Sequence, residues 1–220
     1  MNKKLGIIKK TLKGKTFYRI LFEKTLGEFD FDVRGICVDL AAGAKNIAEL
    51  NSKILPEKLI KVDIDEKSEP DIIADFNGAL PFDDSFADNV FFFNSFYLLK
   101  DPVFFLSELL RILKNGGRVF FTVELIKAEE TGVFDRQRYS SRKIKEILGT
   151  IGFTQITAIP IGERFCAAAN LVDFSLGNSW PANLLKIPGR LFCLLLDKLT
   201  PKKLIKNYPC PISWFIAARK

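Results

Sequence analysis

Carboxylates at the ends of apolar runs are the residues of this chain best placed to do chemistry. Leu59-Ile60-Lys61-Val62-Asp63-Ile64-Asp65 reads as a buried strand ending in acids. A carboxylate there can accept hydrogen bonds from both hydroxyls of a ribose, which makes Asp63 a candidate contact and Asp65 its substitute. Gly35–Leu40 (GICVDL) reads as the first strand, carries Asp39, and runs into Ala41-Ala42-Gly43-Ala44-Lys45-Asn46. Asn94-Ser95-Phe96-Tyr97 ends the fourth strand, where open α/β sheets bind ligands. Glu124 ends the fifth and precedes a polar insert with Asp135-Arg136-Gln137-Arg138-Tyr139-Ser140. Arg138 and Asp135 could orient a substrate carboxylate, phosphate or hydroxyl, or pair with each other to tie the loop down. The chain has no His, which excludes His triads, His metal sites and a His base. Asp135, Glu124 and Tyr139 are the groups at the polar insert able to take a proton from a hydroxyl.

Positioning these groups requires a sheet. Asn89–Asn94 and Arg118–Val123, rich in Val and Phe, read as buried strands. Between them Val103, Leu106, Leu109, Leu110 and Leu113 recur at helical spacing. Asp101-Pro102 starts this helix and Asn115-Gly116-Gly117 stops it. Strand, helix, strand at this length is a βαβ unit with parallel strands. Asp63 and Asp75 are too close for a crossover helix, so a short third strand near 71–74 is reached by loop alone. Ser140 or Ser141 caps a helix whose face is Ile144, Ile147, Leu148 and Ile151, ended by Gly152-Phe153. Thr154–Ile161 reads as a sixth strand and Ile212–Ala218 as the last.

LPFDDSFADNV, LLKDP and LSELLRILKNGGRVFF together resemble the class I S-adenosylmethionine-dependent methyltransferases. The nearest pattern is the "type 11" branch, and the compressed third strand is similar to members associated with saccharide and lipopolysaccharide biosynthesis. The likeness runs from about Cys37 to Phe153. It implies an α/β, Rossmann-like, mostly parallel seven-stranded sheet with an antiparallel last strand and a helical insertion before it. It implies S-adenosyl-L-methionine as cofactor, held by Asp39, Ala41, Gly43, Asp63, Asp75, Phe76 and Asn94. Asp75 would take the adenine amino group, with Phe76 beside the ring; Arg138 and Tyr97 would contact the substrate. The first loop departs from the family's Gly-x-Gly-x-Gly, with Ala41 and Lys45 at the outer positions, and Leu98 stands where a His is common. The activity implied is methyl transfer to a hydroxyl or carboxylate of a small or lipid-linked metabolite, such as a sugar. A methyltransferase-like partner module without catalysis, motivated by Ala41 and Lys45, and an RNA methyltransferase are the other readings.

The 220 residues suffice for one domain, read as residues 31–220, with 162–210 as a helical insertion or lid and 1–30 as a basic amphipathic segment. Net charge is +7, concentrated in six lysines of residues 1–15 and in Lys186, Arg190, Lys198, Lys202, Lys203 and Lys206. Such ends suit an anionic partner: a lipid surface, a phosphorylated substrate or RNA. Nucleic acid is disfavoured because the basic residues accompany apolar helices rather than exposed aromatics on a sheet. Lysines interrupt every apolar run near the N-terminus, unlike a signal peptide. Four widely spaced cysteines read as reduced thiols of a cytoplasmic protein, peripheral to the inner face of a membrane where the basic ends bind it. Pro188–Leu199 reads as a helix with Lys186, Arg190 and Asp197 on one face, serving as a lid, a homodimer face or an interfacial helix.

Overall fold

The computed structural model describes residues 3–43, 45–131, 135 and 137–220; Ala44 and Arg136, named above, lie outside them. The chain divides into two compact units. One comprises 29–124, 129–159 and 214–220, the other 1–28, 125–128 and 160–213.

The first unit is built on a seven-stranded sheet. Its strands are β1 (Ile36–Leu40), β2 (Lys58–Asp63), β3 (Ile72–Ile73), β4 (Ala87–Phe92), β5 (Leu113–Glu124), β6 (Thr154–Ile161) and β7 (Ser213–Arg219). Their order is β3-β2-β1-β4-β5-β7-β6. β1, β2, β3, β4 and β5 pair in parallel, with Val38 opposite Val90 and Val90 opposite Val119. β7 runs the other way: Gly116 donates to the Lys220 carbonyl at one end of β5, and Leu125 to the Ile212 carbonyl at the other. The expected architecture is what forms.

Phenylalanine fills the core on both faces, because alternate residues of a strand point to opposite sides. On one face Phe91 stacks on Phe120 at 5.2 Å, joined by Phe31, Phe29 and Phe215. On the other, Phe92 lies 4.6 Å from Phe105 of α4 (Pro102–Ile112). Each ring pair contributes roughly 0.5–1.5 kcal/mol beyond its buried area. β3 has two residues and is reached from β2 through a single 3₁₀ turn, Glu66–Ser68, which Asp65 caps by accepting from Lys67 N–H. As the spacing predicts, no crossover helix lies there.

α4 corrects the sequence reading at one end. Asp101 caps it by accepting from Phe104 N–H, with Pro102 in its first turn. The helix then stops at Ile112, and Leu113 begins β5 with no loop between them. The Asn115-Gly116-Gly117 stretch expected to end the helix lies inside the strand. It forms a bulge between the pairs Ala87–Leu113 and Asn89–Arg118. Gly116 has φ +78°, and a Cβ on Gly117 would stand 2.9 Å from the Lys114 carbonyl. The glycines serve the bulge, a need that local sequence does not separate from a helix stop.

Glu108 and Arg111 of the ELLR stretch of α4 also have a structural task. Glu108 accepts from Leu80 N–H at 2.8 Å. Arg111 donates to the Leu80 and Phe82 carbonyls and to Asp84. The two most recognisable pieces of the sequence, LPFDDSF and LSELLR, are thus a turn and its clasp. α5 (Ser141–Ile151) starts at the Ser140 cap and ends at Gly152 with φ +119°.

The second unit is helical: α1 (Lys3–Leu12), α2 (Phe17–Glu28), α6 (Arg164–Ser175), α7 (Trp180–Leu199) and α8 (Lys202–Asn207). α7 is longer than expected. It starts at the Ser179 cap with Pro181 in its first turn, and Pro188 lies inside it rather than at its head. Lys186 and Arg190, read as part of an exposed basic cluster, are buried at 4% and 1% exposure. Arg190 donates to Asp173 of α6 at 2.8 Å and to Thr11 of α1 at 2.8 Å, partners no local pattern reveals. Asp197 accepts from the backbone of Glu163, Phe165 and Cys166 at the start of α6. All four cysteines are free, Cys37 and Cys166 buried and Cys193 and Cys210 partly so.

Candidate functional site

The C-terminal ends of β1 and β2 bring three of the expected residues together. Asp39 is 4% exposed and accepts from Ile47 N–H at 2.6 Å, at the start of the short helix α3 (Ile47–Leu50). Burial pushes its carboxyl up to about 7, against the lowering effect of that hydrogen bond. Asp63, 9% exposed, accepts from Gly43 N–H at 2.9 Å through one oxygen and from Asp65 N–H at 3.0 Å through the other. Each carboxylate oxygen has a second lone pair, so these bonds leave acceptor capacity for hydroxyls.

The loop between β1 and α3 is sharply turned. Ala41 has φ +54° and Gly43 +57°. Alanine in this left-handed region carries strain that glycine avoids, about 1 kcal/mol. Around Gly43 nothing stands within 4 Å of where a Cβ would lie, so a ligand can approach its backbone. Lys45 is exposed. An adenosyl group fits this corner: a bare backbone at Gly43 and a buried acid held beside it. Asp75 is exposed, with one oxygen accepting from Asn77 N–H and from its amide. Phe76 departs from its expected role, since its ring is packed edge-on against Phe92 and Phe105 and only 9% of the residue is exposed.

A second cluster gathers beyond β4 and β5. Asn94, at φ +60°, donates its N–H to Thr122 Oγ1 at 2.7 Å. Tyr97 donates its hydroxyl to Glu130 at 3.0 Å. Burial raises the Tyr97 phenol, and the hydrogen bond and charge of Glu130, with Glu124 and Asp135 nearby, raise it further. Glu124 is 6% exposed, and its carbonyl accepts from Tyr139 N–H. Asp135 is bound by both ends of the Arg138 guanidinium and accepts from Glu130 N–H at 2.9 Å. That pairing commits Asp135 to holding the loop, an alternative already present in the sequence, and removes it as a base. The hydrogen bonds it donates to Asp135 hold the Arg138 guanidinium above its usual range. Tyr139 donates to Gln137, whose amide donates to the Leu99 carbonyl. Glu130, Thr122 and Gln137 have no spacing that marks them in the sequence; only the ends of two neighbouring strands and one loop bring them here.

Among the described residues no group of three His, Cys, Asp or Glu is arranged to hold a metal. Residues 33–121 match the methyltransferase domain family. No curated protein matches the chain in sequence. Solved structures do match in fold. Phosphoethanolamine N-methyltransferase 2 of Haemonchus contortus, in complex with S-adenosyl-L-methionine, superposes with a TM-score of 0.55 at 18% identity, over 92% of this chain. The chain spans 52% of that enzyme's length. A complex of the Haloferax volcanii Trm112 methyltransferase activator with a methyltransferase gives 0.58 at 19% identity, over 90% of this chain and 88% of the other. An S-adenosylmethionine-dependent methyltransferase of Mesorhizobium loti gives 0.58 at 14% identity, over 95% of this chain and all of that one. At these identities the likeness establishes the fold. The family match runs over residues 33–121, less than half of the chain, and marks that stretch, β1 into β5, as similar to the methyltransferase domain.

Proposed function

We propose that this protein transfers a methyl group from S-adenosyl-L-methionine to a small or lipid-linked acceptor. The observation that carries the reading is the bond from Gly43 N–H to Asp63, which places an open backbone and a ribose-competent acid side by side. Asp39 braces the same loop from below through Ile47. S-adenosylmethionine supplies a methyl already activated on a sulfonium, so the chain's task is to orient the acceptor in line and exclude water. In this reading Tyr97, Tyr139 and Arg138 orient the acceptor. Glu124 is the carboxylate left to take a proton, since Asp135 is tied to Arg138. The acceptor atom is a hydroxyl or carboxylate oxygen in this reading.

One observation favours an amine instead. The acceptor end carries Glu124, Glu130 and Asp135 beside Arg138, an excess of negative charge that suits a cationic substrate better than a carboxylate. The Haemonchus neighbour is named a phosphoethanolamine N-methyltransferase. Radiolabelled methyl transfer to panels of sugars, carboxylic acids and amines separates these acceptors.

Calorimetry of the full chain with S-adenosylhomocysteine tests the cofactor site. Binding is expected, weakened about tenfold or more by Asp63→Asn, which removes a charged acceptor. Absence of heat at millimolar ligand would leave the chain as a methyltransferase-like partner module.

A further inference from the structure

The helical unit carries a surface that methyl transfer does not explain. α7 is turned inside out: Ala182, Asn183, Lys186 and Arg190 are its buried residues. Its outer side shows Leu185, Pro188, Phe192, Leu195 and Leu199, all exposed, at spacings of three and four. Phe192 is 59% exposed and Leu199 69%. This is one continuous apolar stripe about 21 Å long. Beside it opens a cavity of about 490 Å³, floored by Ile7, Ile20, Leu21 and Leu191 and rimmed by Lys10, Lys24 and Lys198. Lys10 pairs with Glu23 and Lys24 with Glu28, yet the two lysine side chains remain 40% and 51% exposed, within reach of a further anion at the rim.

We infer that this face docks on an anionic phospholipid bilayer, with an acyl chain entering the groove and headgroup phosphates meeting the lysine rim. Charge selects the occupant. The unit has 16 Lys and Arg against 5 Asp and Glu, a net charge of +11. A second copy would bring another +11 against the same face, which opposes self-association through it. A polyanion without an apolar part would satisfy the lysines and leave the stripe in water. Anionic lipid satisfies both, in the manner of an interfacial amphipathic surface. The protein would lie on the bilayer, since no described helix is long and apolar enough to cross one. The inference does not rest on methyl transfer.

Flotation of the full chain with phosphatidylcholine vesicles, with and without phosphatidylglycerol, tests it. Binding is expected only to the anionic vesicles. Lys198→Glu should lower the partition coefficient about thirtyfold, because one lysine at such a surface contributes about fivefold and reversal counts twice. Phe192→Trp is a surface substitution that reports depth: brominated acyl chains should quench its added fluorescence beyond the quenching of the unsubstituted chain, which carries Trp180 and Trp214. Circular dichroism checks that both variants keep the fold. Equal binding to neutral vesicles, an added tryptophan left unquenched on bound protein, or preferential binding to an RNA homopolymer would each overturn the proposal.

Discussion

The two units of this protein hold themselves together by opposite means. The sheet unit buries phenylalanine against phenylalanine and keeps its acids at the strand ends, where 17 basic and 21 acidic residues give it a net −4. The helical unit, at +11, buries Arg190, Lys186 and Asp173 along with Phe17, Phe22 and Leu26. Of the 18 exposed large apolar residues among those described, 13 belong to the helical unit. The charge the sheet unit buries is acidic and sits at its strand ends, in Asp39, Asp63 and Glu124; the helical unit buries cations along α7. Such burial is expensive, because a buried charge must keep its partner. It persists in the helix that presents the apolar stripe, and that coincidence ties the buried ion pair to the exposed surface.

The sharpest way to break this comparison is Asp173→Ala. It strands Arg190 in the interior and should cost about 3 to 5 kcal/mol in urea unfolding. Arg190 keeps Thr11, the Lys15 carbonyl and the face of Phe17, none of them charged. A loss below about 1 kcal/mol would mean that the pair is not what holds the helices.

Glu23→Gln probes the same unit more gently. Although burial raises it, hydrogen bonds from Lys10 and Lys15 bring the Glu23 carboxyl down to about 2. A depressed carboxylate contributes stability above its unfolded value near 4.5 and loses it as pH falls toward 2. The variant should therefore be about 2 kcal/mol less stable at pH 7, with the difference vanishing near pH 2. A difference that survives at pH 2 would assign the effect to packing.

The smallest effect is expected in the sheet unit. Gly43→Ala meets open space, so only the left-handed backbone resists it, by about 1 kcal/mol, independent of pH. The same methyl would stand where the cofactor approaches, so S-adenosylhomocysteine affinity should fall more than stability does. Equal losses would move the cofactor away from this loop.

The same contrast decides what could be read in the residues beforehand. The sheet unit was legible because strands of alternating or continuous apolar residues, the Asp101-Pro102 cap and the Ser140 cap act within a few positions of one another. The compression between Asp63 and Asp75 could be read as a missing helix from chain length alone. Helical spacing placed Arg190 and Lys186 on a face but could not say which side that face takes, since Asp173 and Thr11 come from other helices. Pro188 looked like a start because prolines usually are; Ser179 with Pro181 was the better signal. In the site, Asp39, Gly43 and Asp63 were legible as strand-end residues. Phe76 was not, because an aromatic beside an acid reads alike whether it faces a ligand or the core. Asp135 and Arg138 carried both meanings, and the ion pair selected one.

The direct passage from Ile112 into Leu113 limits how this chain can change. Most helix–strand junctions have slack, and a residue gained or lost there disappears into a loop. Here one inserted residue would have to turn the helix about 100° against its packing, at the cost of Phe105, or enlarge the bulge that follows at Asn115-Gly116-Gly117. A change of length at this junction therefore falls on the helix's packing or on the bulge, since no loop is there to take it up.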